Sequence, residues 1–580
     1  MTPMDQTEGS GSLPGQGLEG DAGVPERQRA PKALPRESVV ILVALGMVVV
    51  LSLGLHLWGM MRDLPYPPDV DEPIFVQAAV RMLQHRTLDP GWFGNPGSTV
   101  IYPTAALIEL WYQVAKHVPP FAHAMPGVGR ELVVDPMPFY VIGRLVSLAY
   151  GVGCVVATWL LARRIIGDVG GVLAALLLPA TAMVVAYGQL VRTDMAGTFF
   201  ALVAVWLALR AMDGGRFRDW VLAAIAIGLA VSTRYFYAAL VVPYGVAALL
   251  WLRSSRARPD SREKPGRTWA PPILAVLFAP LAFAIASPFV LLDLPRVIAD
   301  LQREARTVHP GADGLTPIGN LVWYVAQVLP ATFGPVVLVL AIVGVVVIAR
   351  LRWRALAVLA AFAASYLAAV SASPLHWDRY VIPLVPVVGI LVAGAVLAIG
   401  AWVVALVSNL LAREGRGRPP VEPDIGATAR SRRLAIGLAS AMLVVLLVPS
   451  VLTVAAADRL RAAPSTRVLA TEWVVANLPP GSRIAQEMYT AYTANLDGIG
   501  YDVLVEFSLG DRPLDAYRAD GYRYLITSSS MTERFQDASR YPIQNAFYKA
   551  LVATGRLLAS FQPGQDRSGP LISIYEIAGP

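Results

Sequence analysis

Val39-Val40-Ile41-Leu42-Val43-Ala44-Leu45-Gly46-Met47-Val48-Val49-Val50-Leu51 opens a charge-free run that continues to Met61, and eight residues beyond its end stands Asp69-Val70-Asp71-Glu72-Pro73. A bilayer core takes about 20 helical residues, so the run is long enough to cross one. Acidic clusters on soluble surfaces usually mean only solvation. Here three carboxylates follow a membrane span and precede a helix-like segment, which puts candidate reactive groups at the boundary of water and lipid.

The remaining composition agrees. Of 580 residues, 55% are hydrophobic and only 15% charged, with a mean hydropathy of +0.53. A soluble domain carries nearer a quarter charged residues, so the chain reads as a polytopic α-helical membrane protein. The net charge of +7 is spread over short loops between apolar runs, a pattern that sets membrane orientation and argues against a nucleic-acid partner. The single cysteine, Cys154, lies in an apolar run and allows no intrachain disulfide.

Apolar runs give eleven expected spans, at 38–61, 138–162, 169–188, 195–212, 219–233, 235–252, 270–290, 319–349, 355–372, 380–411 and 434–456. Residues 1–36, rich in Gly, Pro and Ser, read as a disordered cytoplasmic tail. The first span reads as a retained signal anchor, because no small-residue cleavage site follows it. With the N-terminus inside, Arg163-Arg164, Arg210 to Arg218, Arg253 to Arg267, Arg350 to Arg354 and Arg413 to Arg433 all fall in inside loops. The alternate short loops carry only Arg192, Arg234 and Arg379, singly.

Three segments then lie outside. The loop 62–137 holds the acidic cluster and two helix-like stretches, 73–84 and 104–117; in the second, Ile108, Tyr112 and Ala115 recur at helical spacing, as for a helix lying in the interface. The loop 291–318 carries Arg296, Arg303, Arg306 and His309. The tail 458–580 reads as a small α/β domain. It has helices at 466–478 and 543–554 and strands at 483–487, 522–527, 557–561 and 571–577, without a metal or phosphate motif.

Each short outer loop pairs its arginine with a carboxylate or an aromatic residue: Gln189-Leu190-Val191-Arg192-Thr193-Asp194, Ser232-Thr233-Arg234-Tyr235 and His376-Trp377-Asp378-Arg379-Tyr380. One such charge at a helix end commonly just snorkels. Several at one level are what a single cavity holding an anion and a base requires.

Asp71-Glu72-Pro73 with Gln77-Ala78-Ala79, Arg144-Leu145, Arg163-Arg164-Ile165-Ile166-Gly167, Arg192-Thr193-Asp194 and Arg379-Tyr380-x-x-Pro383-x-x-Pro386 together resemble the GT-C glycosyltransferases of the protein mannosyltransferase type, glycosyltransferase family 39. The likeness covers about residues 38–410 and extends to the lipid A aminoarabinose transferases. It implies a GT-C fold of about 11 transmembrane helices over 37–457 and a polyprenyl-phosphate sugar donor. Asp71 is then the catalytic carboxylate, Glu72 its companion and Asp194 the second-loop acid. Arg379 falls near the carrier phosphate, with Arg234, Arg192, His376 and His309 as further phosphate-binding candidates and Asp69, Tyr102 and Tyr380 lining the substrate. The segment Ser98-Thr99-Val100-Ile101-Tyr102 before Pro103 lacks the Lys or Glu that some relatives carry there.

The expected reaction is inverting transfer of a hexosyl or pentosyl group to a protein, lipid or glycan acceptor. A base takes the acceptor proton and arginines hold the leaving phosphate, with no cofactor and no metal-ligand spacing. The expected location is a bacterial plasma membrane, with the C-terminal domain extracytoplasmic. A transporter or flippase for a lipid-linked or anionic substrate is the rival. Transporters place ionisable groups near the bilayer midplane and often repeat internally, whereas these charges gather at span ends.

Overall fold

The computed structural model describes residues 36–118, 127–256, 270–414, 425–496 and 500–577. The tail expected to be disordered lies, apart from Arg36, outside them. Seven helices are long and apolar enough to cross a membrane, and the chain is an integral membrane protein. Several of the seven join more than one element, and two bear on the expected spans. Met137–Ala175 breaks at Gly167, whose φ of 81° only glycine adopts at no cost. The stretch 317–371 contains a π-helical turn, Tyr324–Val328, and non-helical residues at Gly334 and Arg352. Gly167 and Arg352 fall between the spans expected at 138–162 and 169–188 and at 319–349 and 355–372, whereas the π-helical turn and Gly334 interrupt the span expected at 319–349. The span expected at 169–188 is itself divided, by turns between Ala175 and the short helix Ala182–Gly188.

Charge marks both ends of the bundle. In Met137–Ala175, Arg144 and Arg163 are 19 positions apart, about 28 Å along a helix and close to the thickness of a hydrocarbon core. Asp194 and Asp213 repeat that separation in Asp194–Gly214. At one end Arg164 pairs with Asp213 at 2.8 Å and Arg210 with Asp219 at 3.1 Å; the other end carries the candidate site. Between the two tiers the helices meet through Ala, Val and Leu, with glycines at the tightest crossings. A Cβ on Gly344 would stand 2.0 Å from the Leu391 carbonyl oxygen, so only glycine admits that approach.

The first outer loop is clamped onto this bundle. Glu72–His85 starts with Pro73 in its first turn and ends at Arg86 in the left-handed region. It buries Phe75, Val76, Ala79, Val80 and Met82 against Val100, Ile101, Ile108 and Tyr112 of Ser98–His117, over Phe139, Tyr140 and Ala196 of the membrane helices and Val191 of the loop before Asp194. Thus Ile108, Tyr112 and Ala115, read as an interfacial stripe, turn toward protein, while Leu107, Leu110 and Val114 remain exposed on the opposite side.

After Ala462 the chain forms helices and a five-stranded sheet of β1 (Arg483–Glu487), β2 (Asp502–Glu506), β3 (Tyr524–Ser528), β4 (Arg556–Phe561) and β5 (Ile572–Glu576), ordered β2-β1-β3-β5-β4. β1 pairs in parallel with β2 and β3, whereas β5 is antiparallel to β3 and β4. Alternation assigns Ile484 and Ile526 to the face covered by Thr466–Asn477, and Ala485 and Leu525 to the face covered by Pro542–Thr554. Edge strand β2 was not expected. Its apolar content is only Val503-Leu504-Val505 between acids.

Candidate active site

Asp71 caps the N-terminus of Glu72–His85, and its N–H donates to Asp69 Oδ1 at 2.9 Å, a short loop that turns both carboxylates the same way. They face Arg192, from the loop before Asp194–Gly214. Arg192 Nη1 donates to Asp69 Oδ1 at 2.6 Å, Nη2 donates to Asp71 Oδ2, and Nε lies 3.5 Å from Asp194 Oδ2. One planar guanidinium therefore joins three carboxylates from two parts of the chain.

Two more arginines complete the cluster. Arg234, in extended conformation after Phe217–Thr233, donates to Asp194 Oδ1 at 3.1 Å. Arg379, in the tight 3-10 segment Asp378–Leu384, brings Nη2 to 3.9 Å from Asp71 Oδ2. Tyrosine rings separate the like charges. Tyr187 lies under Arg192 and Arg379 at 5.4 and 6.0 Å, and Tyr380 under Arg234 and Arg379 at 5.1 and 5.6 Å. Asp194 and Arg192 are 3% and 5% exposed, Arg234 and Arg379 each 12%, Asp69 20% and Asp71 36%. Asp71 is the carboxylate a solute reaches.

Burial raises the Asp71 carboxyl, but Arg192, then Arg379 and Arg234, outweigh it and hold it below its ordinary value. It is ionised at neutral pH. Arg192 is held protonated by Asp69, Asp71 and Asp194 against its own burial.

Other residues expected at the site stand elsewhere. Glu72 is fully buried and occupied: Arg144 donates from Nε and Nη2 to its two oxygens at 2.8 Å each, and the Val191 N–H donates to Oε2 at 3.0 Å. With Arg144 also donating to the Met60 carbonyl, this pair fastens the loop to the bundle beside Asp71. His309 lies between Trp377 and Phe507 at ring distances of 5.0 and 5.6 Å, near Arg534 of the C-terminal unit. Burial, with Arg306 and Arg534, lowers it to about 4, so it carries no charge for a phosphate. His376 packs edge-on to Trp323 at 4.5 Å, and burial lowers it too. Tyr102 donates to the Leu88 carbonyl at 2.9 Å within the first loop, apart from the arginines.

Sequence reasoning did not single out Tyr187 as a ring between arginines; no spacing distinguishes it from other aromatic residues at span ends. Glu304, at the end of helix Leu294–Glu304, is near enough to Asp71 to feel its charge. Burial raises its carboxyl, opposed by Arg306 and reinforced by Asp71. Among the described residues no group of three or more His, Cys, Asp or Glu side chains is arranged to hold a metal ion.

Residues 133–291 match the family model described as dolichyl-phosphate-mannose-protein mannosyltransferase. That segment contains Arg144, Arg192, Asp194 and Arg234 and stops short of Arg379. Among solved structures, ArnT from Cupriavidus metallidurans in the apo state aligns over 93% of this chain and 98% of its own, at 15% identity and a TM-score of 0.51. The same enzyme bound to undecaprenyl phosphate aligns over 93% and 98%, at 14% identity and a TM-score of 0.43. The archaeal oligosaccharyltransferase AglB from Archaeoglobus fulgidus, in complex with an inhibitory peptide and a dolichol-phosphate, covers 92% of this chain and 74% of its own, at 12% identity and a TM-score of 0.48. No curated protein matches the chain in sequence. The chain shares the fold of ArnT, and its residues 133–291 are similar to the mannosyltransferase family model.

Proposed function

We propose that the protein is an inverting glycosyltransferase that moves a sugar from a polyprenyl-phosphate carrier to an acceptor hydroxyl outside the cytoplasm. The observation that carries this reading is the cluster itself: three arginines and three carboxylates at one end of the membrane bundle, with Asp71 the most exposed carboxylate. The family model matched by residues 133–291 is described by the same class of donor, a dolichyl phosphate sugar.

In this mechanism the donor phosphate lies against Arg379 and Arg234. The acceptor hydroxyl oxygen attacks the anomeric carbon, the bond from that carbon to the phosphate oxygen breaks, and polyprenyl phosphate leaves. The hydroxyl proton passes to Asp71. Phosphate is already a good leaving group, so the protein supplies a base, cations and alignment. A single displacement inverts the anomeric centre, and the paired acids of a retaining glycosidase are not needed. Once the donor's negative charge is seated, it offsets the arginine field on Asp71 and raises that carboxylate's affinity for a proton, so the base strengthens when it is needed.

The isoprenoid tail has a place to lie. A groove of about 370 Å³ is lined by Thr181, Ala182, Met183, Trp323, Gln327 and Thr332, and by Asp378 beside Arg379. In this reading residues 1–36 are cytoplasmic, 37–457 form the catalytic membrane unit with its first outer loop at 62–137, and 458–580 form an extracytoplasmic domain of a bacterial plasma-membrane protein.

The test is reconstitution of the full chain in nanodiscs with a panel of undecaprenyl-phosphoryl hexoses and pentoses and with membrane glycans as acceptors. Release of undecaprenyl monophosphate together with a product of inverted configuration supports the proposal. Movement of intact lipid-linked sugar across the bilayer without bond cleavage would establish the flippase reading instead.

A further inference from the structure

The C-terminal unit meets the membrane unit along a built seam. Asp63 of the first loop accepts from Ser465 Oγ at 2.8 Å and from the Tyr492 hydroxyl at 3.0 Å, all three groups buried. Arg540 pairs with the buried Asp313 at 2.6 Å, and Arg534 reaches His309. Between these ties the seam stays open as a cavity of about 340 Å³ lined by Pro310, Gly311, Trp377, Ser530, Glu533 and Arg534.

Its lining brings together a carboxylate, a guanidinium, a hydroxyl and an indole. Glu533 and Arg534 are adjacent and opposite in charge, yet among the described residues neither has an ion-pair partner within 4.0 Å. Arg534 instead lies over the Tyr489 and Phe507 rings at 5.2 and 5.9 Å. Trp377 closes the side facing the membrane unit, and Arg379 lies against this same indole at 4.7 Å while approaching Asp71 at 3.9 Å. One indole and one guanidinium therefore separate the cavity from the proposed base.

We infer that this seam is a subsite for a glycan acceptor, binding an uncharged sugar ring next to the one that carries the reacting hydroxyl. A carboxylate accepts from vicinal hydroxyls, a guanidinium donates to ring and hydroxyl oxygens, a serine does either, and an indole face covers a pyranose's C–H surface. An anionic acceptor group would meet Glu533. The way from the seam to Asp71 passes Trp377 and Arg379, so a ring held in the seam leaves its neighbour as the one that reaches Asp71. The inference rests on the glycosyltransferase reading but adds the acceptor's class and the surface that selects it.

The experiment uses the full chain in nanodiscs and reads two ligands separately. Undecaprenyl phosphate binding reports the carrier site. Saturation-transfer NMR with α-linked mannobiose, mannotriose and an arabinofuranose trisaccharide, and with a Ser/Thr-rich peptide, reports the seam. The expected result is that one oligosaccharide binds and that Glu533→Gln weakens it about tenfold, the scale of a lost charge-assisted hydrogen bond, while Ser530→Ala gives a smaller loss. Carrier binding stays unchanged in both variants. Carrier binding with no oligosaccharide signal, oligosaccharide binding indifferent to Glu533→Gln, or competition by the peptide alone would each overturn the subsite and leave the enzyme reading standing. Loss of carrier binding by the unaltered chain would instead remove the reading on which it rests.

Discussion

Arg379 Nη2 stands 3.9 Å from Asp71 Oδ2, within ion-pair range but beyond a hydrogen bond. Its Nε is buried with no hydrogen-bond partner among the described residues, while Arg192 is spent on three carboxylates. Arg379 is therefore the cation of this cluster with unused donors, next to both Asp71 and the groove-lining Asp378.

Asp71→Asn keeps the shape of the side chain and removes its basicity. Transfer is expected to fall by roughly two or more orders of magnitude, with carrier affinity largely kept. Single-turnover kinetics beside undecaprenyl phosphate binding check this. Near-normal turnover by a folded variant would move the base to Asp69 or Asp194.

At Arg379, lysine preserves the charge but loses the fork, so Arg379→Lys should bind carrier more weakly than the unaltered protein, and Arg379→Ala about tenfold or more weakly. Isothermal titration with undecaprenyl phosphate is the measurement; unchanged affinity in Arg379→Ala would disqualify the residue.

The pH dependence follows from the sign of the Asp71 shift. The carboxylate must be ionised to act, so activity is present above its pKa and lost as pH falls through it. In the empty site the arginines hold that pKa below the ordinary value of about 3.9. A bound donor anion offsets them, so the acid limb of kcat should lie at higher pH than that of kcat/KM. Coincident limbs would argue that the phosphate does not share the arginine field with Asp71.

Glu72 and Arg144 make a different prediction, because both are fully buried. Glu72→Ala strands a guanidinium and should cost about 3–5 kcal/mol of stability. A Glu72→Met, Arg144→Met double variant should recover part of that loss. Thermal unfolding in detergent distinguishes these outcomes from a purely catalytic role, in which Tm would not move.

The sequence made the helices of the first loop and most of the sheet readable because each carries its own period and stops, as Pro73 and Pro479-Pro480-Gly481 do. It also placed Asp71, Asp194 and Arg379 at one level through the positive residues of the opposite loops. It could not separate Glu72 from Asp71. Adjacent positions at a helix start point in different directions, and only the distant Arg144 decides which carboxylate is consumed in packing. His309 and His376 looked alike as loop histidines, and their aromatic neighbours Phe507 and Trp323 lie far along the chain.

The three-on-three composition of the cluster has an electrical consequence for turnover. Asp69, Asp71 and Asp194 against Arg192, Arg234 and Arg379 sum to zero, and a phosphodiester donor brings one negative charge. After transfer the departing monoester carries close to two, but Asp71 has taken a proton, so the site's total stays near minus one. Charge is redistributed without being gained or lost, and a reaction held against the low-dielectric edge of a bilayer proceeds with no counter-ion arriving from either side.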